Sequence, residues 1–188
     1  MSKLSDAIWV TRKCHINAEE RLNRQSLTAN ISLTAYSTYL LIASVIAVKV
    51  RLSEFELVSL VGAVLTLVAS VFVWGLRFSE RAAQFKASYI RLRLLLDEAQ
   101  LAETQNDQHE LKRINHSYAD ILQSCENHSE LDYLKLRFEL RNSKQKTVED
   151  MTTQDYVRYY AGFASRVLGR IFLLLGPIAA LYWYVRGT

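Results

Sequence analysis

Residues 31–76 read ISLTAYSTYLLIASVIAVKV (31–50), RLSEFE (51–56) and LVSLVGAVLTLVASVFVWGL (57–76). The first block carries one charge, Lys49, at its end, where the long aliphatic stem lets the ammonium group snorkel. The third block carries none. Each has about the 20 residues that a helix needs to cross the hydrocarbon core of a bilayer. A helix apolar on every face does not suit the surface of a soluble domain. The short connection can join only antiparallel neighbours. Ser53 and Glu56 within it fit the S-x-x-E capping box, which ties down free amides at a helix start. The stretch therefore predicts a transmembrane hairpin.

Lys and Arg on either side give the orientation. Arg12, Lys13, Arg21 and Arg24 precede the hairpin, and Arg77, Arg81, Lys86, Arg91 and Arg93 follow it; the connection offers only Lys49 and Arg51. The N-terminus and the middle of the chain are expected in the cytoplasm, with the connection outside. A later block, 167–185, reads VLGRIFLLLGPIAALYWYV. Arg158, Arg166 and Arg170 gather at its start, and Tyr182, Trp183 and Tyr184 close it like an interfacial aromatic belt. This block is expected to be a third span, kinked at Pro177, with the C-terminus outside. Arg170 is costly inside a bilayer and keeps open a re-entrant or interfacial segment.

The whole 188-residue chain is 50% apolar and 22% charged, with a mean hydropathy of only +0.01. That average conceals apolar blocks alternating with charge-dense ones. One Pro and six Gly are too few for an all-β chain with its many turns, so an all-α fold is expected. The net charge is +4 and the pI about 9.1, which the orientation signal largely explains. The first thirty positions hold Lys3, Arg12, Lys13, Arg21 and Arg24 with no apolar core before about Ile31, unlike a cleavable signal peptide. Cys14 and Cys125 fall in segments assigned to the cytoplasm, where thiols stay reduced.

Past the hairpin, Phe78, Ala82, Phe85, Tyr89, Leu92, Leu96 and Ala99 alternate spacings of four and three, a coiled-coil seam continuing out of the second span. Asn106-Asp107 interrupts it, and Asp107 with Glu110 fits a new helix cap before the stripe Leu111, Ile114, Tyr118, Ile121, Cys125. Asn127 with Glu130 fits a further cap before Leu131, Leu134 and Phe138. Residues 142–153 are polar and read as a loop, and Thr152 with Asp155 fits the start of the last helix. Leu4, Ile8, Ala18 and Leu22 form a matching N-terminal stripe that can pack beside the seam. The expected organisation is an N-terminal cytoplasmic helix (1–30), the hairpin (31–76), a cytoplasmic helical module (77–155), and a C-terminal helix with the third span (156–188).

No constellation for catalysis emerges: no Gly-rich phosphate loop, G-x-S-x-G, H-E-x-x-H or C-x-x-C pair is present. Cys125 with His128, and at most His116, falls short of the four ligands of a structural zinc site. Neither enzyme activity, metal nor cofactor is expected, although a site completed across subunits would escape this reading. The spans are more informative. Thr34, Ser37 and Ser44 lie on one face of the first, and Ser59, Ala63, Thr66 and Ser70 follow helical spacing in the second with Gly62 beside them. Such residues let membrane helices approach closely, and the same face can line a wetted pathway once hairpins assemble. Ser37, Ser44, Gly62, Thr66 and Ser70 are thus the candidates for hairpin packing or pore lining. The absence of mid-span charges argues against an ion-coupled pump. The basic cluster of 77–93 reads as orientation and lipid contact, or as a surface for nucleic acid or an anionic nucleotide.

A basic N-terminal helix, a hairpin with a very short connection, a long helix opening at RFSERAAQFKASYIRL (77–92), and an N-H-x-x-x-D-Y element at Asn127, His128, Asp132 and Tyr133 together resemble the SLATT superfamily of bacterial conflict systems. The resemblance covers about residues 5–140. It implies a bacterial inner-membrane effector of anti-phage defence, a homo-oligomer that breaches the membrane and kills the infected cell. It also implies control by a nucleotide second messenger or by a reverse transcriptase–nucleic acid complex, as in retrons; the added C-terminal span resembles the subgroup tied to reverse transcriptases. The motif residues read as structural, with Asn127 as a helix cap and with Asp132 and Tyr133 holding that helix to its neighbours. The alternative is a non-toxic membrane anchor or scaffold for a nucleoprotein or nucleotide-signalling partner.

Overall fold

The computed structural model describes residues 3–50, 53–141 and 151–187, without the side chains of 47, 49–50, 53–56, 172–174 and 177–187. The described residues are helical: α1 (Leu4–Val50), α2 (Ser53–Gly75), α3 (Phe78–Gln105), α4 (Gln108–Ser124), α5 (Glu130–Leu140) and α6 (Thr153–Gly187). They divide into two compact units. One comprises residues 1–23 and 79–162; the other comprises 24–78 and 163–188.

The first unit has a buried core. Ile8, Leu92, Leu95, Leu96, Ala99, Ala102 and Ile114 form one cluster, with Leu4, Trp9, Leu111, Tyr118 and Ile121 packed against it. The N-terminal stripe and the α3 seam face inward as their spacing predicts: Ile8, Ala18, Leu22, Phe85, Leu92 and Ala99 are fully buried. The buried face of α3 is wider than a two-position seam, since Ser88, Leu95 and Ala102 are buried as well. A helix packed by more than one neighbour buries a broad face rather than a narrow stripe.

Polar residues mark the helix ends. Asp107 caps α4, its carboxylate accepting from the backbone N–H of His109 and of Glu110 at 3.0 Å each. Glu110 turns instead to Arg113 on the next turn. At α6, Asp155 accepts from Thr152 N–H and Thr152 Oγ1–H at 2.9 Å each, and Asp155 N–H donates to Thr152 Oγ1 at 3.3 Å, a complete capping box. The first turns of α6 rest on α5, with Phe138 stacked on Tyr159 at 4.6 Å and Arg137 paired to Asp155 at 2.9 Å.

The expected unbroken helix from second span into the module is corrected. α2 ends at Gly75, and Arg77 takes the left-handed conformation, φ 50°, before α3 begins. Leu76 N–H and Arg77 N–H donate back three residues, to Val73 and Trp74, at 3.2 Å. That is the tightened last turn with which helices satisfy terminal carbonyls before a left-handed residue stops them. Asn106, φ 54°, does the same between α3 and α4, a conformation that Asn tolerates well.

In the second unit, α1 and α2 each contain a stretch long and apolar enough to cross a membrane, and only 6% of each such window is buried. Large apolar side chains such as Leu41, Val45, Leu65 and Phe72 stand more than half exposed, the arrangement a lipid-facing surface requires. α6 is helical through Pro177 to Gly187. The side chains of the Ser53–Glu56 box, of Pro177 and of the belt at 182–184, and residues 142–150 of the polar loop, lie outside what the structure describes.

Candidate functional site

Two sets of residues singled out in the sequence are brought together, one in each unit. In the first unit, the N-H-x-x-x-D-Y element lies where α4 gives way to α5. The cap of α5 falls on Ser129 and not on Asn127, which is exposed. Ser129 has the extended backbone of a cap, φ −76° and ψ 156°. Asp132, three residues on, accepts from Ser129 N–H at 2.9 Å and from Ser129 Oγ–H at 2.7 Å. The S-x-x-D spacing was therefore the better signal, because a carboxylate three residues into a helix reaches back to the cap.

Asp132 also fixes α5 to α1. Arg21 donates to both carboxylate oxygens, Nε to Oδ1 at 2.9 Å and Nη2 to Oδ2 at 3.1 Å. Asn17 Nδ2 donates to the Asp132 carbonyl at 3.1 Å. Only 3% of Asp132 is exposed, so this fork of charge-assisted bonds works in a low-dielectric setting. His128 lies with its ring centroid 6.0 Å from that of His15, and His15 Nδ1 is 2.9 Å from Ser88 Oγ, its ring edge-on to Phe85 at 5.1 Å. Tyr133 receives the Arg137 guanidinium over its ring at 5.8 Å.

Burial dominates the electrostatics around the clamp. Burial holds His15 down to about 4, with neighbouring His128 adding to the depression and Asp132 opposing it. His128 is also depressed by burial. Burial pushes the Cys14 thiol up to about 12, helped by the Asp132 charge; Cys125 is raised mainly by burial as well. At neutral pH both imidazoles and both thiols are uncharged, and a protonated thiol is a poor nucleophile. Among the described residues no three His, Cys, Asp or Glu side chains are placed to hold a metal ion, so Cys125, His128 and His116 do not form such a group. The residues missed from sequence are the clamp's partners: Asn17 and Arg21 on α1, and Ser88 on α3. Their signal was a polar residue placed on an otherwise apolar helical face.

In the second unit, Ser37 and Ser44 of α1 and Ser59, Ala63, Thr66 and Ser70 of α2 line one groove of about 440 Å³, walled by Leu33, Leu40, Leu41 and Leu67. Most of its hydroxyls bond to their own helix: Ser44 Oγ–H to Leu40 C=O at 2.8 Å, Thr66 Oγ1–H to Gly62 C=O at 2.9 Å, Ser70 Oγ–H to Leu67 C=O at 2.7 Å. Thr34 does likewise with Asn30 C=O at 2.9 Å but is not part of the groove. Ser59 Oγ is buried without a partner among the described residues. Gly62 lies where α2 meets Leu40: a Cβ there would be 2.6 Å from Leu40 Cδ2. All five candidates for hairpin packing or pore lining thus stand on or beside one groove.

A family model described as the SMODS and SLOG-associating 2TM effector domain, family 5, matches residues 1–183. The chain belongs to this SLATT family. No curated protein and no solved structure matches it. As a SLATT protein it is a membrane effector of conflict systems, and its family name ties it to SMODS and SLOG signalling. The two long apolar helices agree with the two spans in that name.

Proposed function

We propose that this SLATT protein is the membrane-breaching effector of a bacterial anti-phage defence system. Hairpins of several copies assemble in the inner membrane with the hydroxyl-lined groove toward a common lumen, and the cell dies before the phage matures. The observation that carries the reading is the groove itself. Ser37, Ser44, Ser59, Thr66 and Ser70 gather on one side of a hairpin that elsewhere exposes many large apolar side chains. Hydroxyls bonded to their own helix retain acceptor lone pairs for water. Ser59 has no hydrogen-bond partner among the described residues, and an unsatisfied buried hydroxyl in a membrane is costly until assembly or water supplies its partner.

The distribution of Lys and Arg supports an N-terminus and helical module in the cytoplasm. Residues 167–185 make the third crossing, leaving the C-terminus in the periplasm. The module is restrained or triggered by a cytoplasmic partner, either a reverse transcriptase–nucleic acid complex or a nucleotide second messenger.

The test is membrane potential and propidium entry in cells expressing the chain, with and without its genomic neighbours. Depolarisation on expression or on phage challenge is expected, and the Thr66→Leu/Ser70→Leu double variant should insert normally yet lose at least tenfold in killing. Intact membranes throughout phage challenge of the complete system would make the protein a passive anchor.

A further inference from the structure

α3 carries two apolar seams, and the fold uses one of them. The inner seam, around Phe85, Leu92 and Ala99, is buried in the first unit. Diametrically opposite, Ala83, Ala87, Ile90, Leu94 and Leu101 repeat at spacings of four, three, four and seven, the same heptad periodicity, and every one is exposed. Ile90, Leu94 and Leu101 are 50%, 63% and 60% exposed. The remaining heptad position of this stripe is Asp97, also exposed.

The flanks carry charge in a defined order. Lys86 and Arg93, seven residues apart, border one side; Arg91 borders the other. All three are exposed, and none makes an ion pair with a described residue, whereas Glu98, next on the Arg91 side, is already held by Arg113 at 2.7 Å. The outer face therefore presents an apolar stripe between cations that have no ion-pair partner among the described residues, with Asp97, likewise unpaired among them, within the stripe toward its C-terminal end.

Self-pairing fits this pattern poorly. A parallel, in-register pair would stack Asp97 on its own counterpart and set Lys86 against Arg91. An antiparallel pair centred on Ile90 and Leu94 would bring Arg91 and Arg93 each beside its own counterpart. Moving the centre to Leu94 and Asp97 would press two carboxylates against leucine. Like charges facing across a helix pair, or a charge in its apolar seam, are the devices that exclude a pairing. A bilayer surface is also a poor occupant, since Asp97 would enter the apolar layer.

We infer that the outer seam of α3 is a docking site for an amphipathic helix of a protein partner, whose apolar stripe is flanked by acidic residues opposite Lys86, Arg91 and Arg93 and carries a basic residue opposite Asp97. This is the helix-pairing mode of recognition, in which heptad anchors supply contact and flanking charges choose the partner. The surface belongs to the described first unit, and the inference stands whether or not the hairpin forms a pore.

The test uses the full chain in detergent micelles and two fluorescent 28-residue peptides. Both carry Leu and Ile at the seam positions; one has Glu on the flanks and Lys opposite Asp97, and the other has the charges exchanged. By anisotropy the acidic-flanked peptide should bind at least tenfold more tightly. Leu94→Glu should abolish that binding, with helix content unchanged by circular dichroism. Asp97→Lys should weaken it, and restoring a Glu opposite in the peptide should recover it. Equal binding of the two peptides, or binding that survives Leu94→Glu, overturns the inference. So does Leu94-dependent attachment to vesicles containing phosphatidylglycerol, or Leu94-dependent crosslinking of two copies, where the acidic-flanked peptide does not compete.

Discussion

The two units handle their polar groups in opposite ways. In the helical module, side chains bond across about a hundred residues of sequence: Ser5 to Glu103 at 2.7 Å, Thr11 to Tyr118 at 2.7 Å, Arg21 to Asp132 at 2.9 Å. In the hairpin, Thr38, Ser44 and Thr66 each donate to the carbonyl four residues back on the same helix. The module has a buried core of its own, and its long-range polar bonds define how the helices around it assemble. A membrane offers no water to a stray hydroxyl, and local bonding makes each span self-sufficient before it finds a neighbour. The module's polar side chains tie its helices to one another; the hairpin's hydroxyls are held within each helix.

The largest expected break in that comparison is at Asp132. Asp132→Ala removes the α5 cap bonds and leaves the Arg21 guanidinium, 18% exposed, without its carboxylate. Breaking one half of a buried pair costs about 3–5 kcal/mol, so chemical unfolding of the module in detergent should shift by that amount. The hairpin's helicity should be unaffected. A loss below about 1 kcal/mol would show that the clamp does not hold α5 to α1.

Next in size is a matched pair of leucines. Leu92 is fully buried and Leu65 is 63% exposed. Leu92→Ala should cost about 2–5 kcal/mol through lost contact and a residual cavity. Leu65→Ala should lie within about 0.5 kcal/mol, as for an ordinary surface position. Equal costs would mean that Leu65 is covered by another copy in the micelle.

The pH response should be smaller and confined to the module. His15 titrates near 4 when folded and from 6.5 as a free side chain, so the folded state resists its protonation. A base with a depressed folded value contributes stability that is whole above about pH 6.5 and lost as pH falls toward 4, because the unfolded chain then binds the extra proton. Thermal melts between those limits should show a falling midpoint, which His15→Gln flattens. A slope unchanged in His15→Gln would assign the effect to His128, depressed in the same direction.

The sequence made the inner faces of α1 and α3 legible because a core face repeats at helical spacing whatever it packs against. It located Asp107 and Thr152 as helix starts because a cap is a local bond. It misplaced the α5 cap because Asn127 and Ser129 are both good capping residues and only the backbone chooses between them. The break at Arg77 was illegible for a different reason: Arg rarely takes a left-handed conformation, so nothing in its type announced one. Arg21 read as one more orientation charge, since its role depends on a residue 111 positions away. Periodicity does not reveal which distant helix supplies a partner.

The smallest effect sharpens the hairpin side of the comparison. Gly62 lies against Leu40, yet the atom its Cβ would strike is Leu40 Cδ2, the far end of a side chain that can rotate away. Gly62→Ala also gains about 1 kcal/mol of helix propensity. The two terms oppose, so Gly62→Ala should change hairpin stability by less than about 1 kcal/mol. Gly62→Leu cannot be absorbed by one rotamer change and should cost about 1–3 kcal/mol, read as looser α1–α2 packing by cysteine crosslinking across the groove. If the close approach serves only to pack one hairpin, killing should follow that stability. If Gly62→Ala leaves stability intact and killing falls, the groove's width matters in the assembled state, which is what a lumen lined by Thr66 and Ser70 requires.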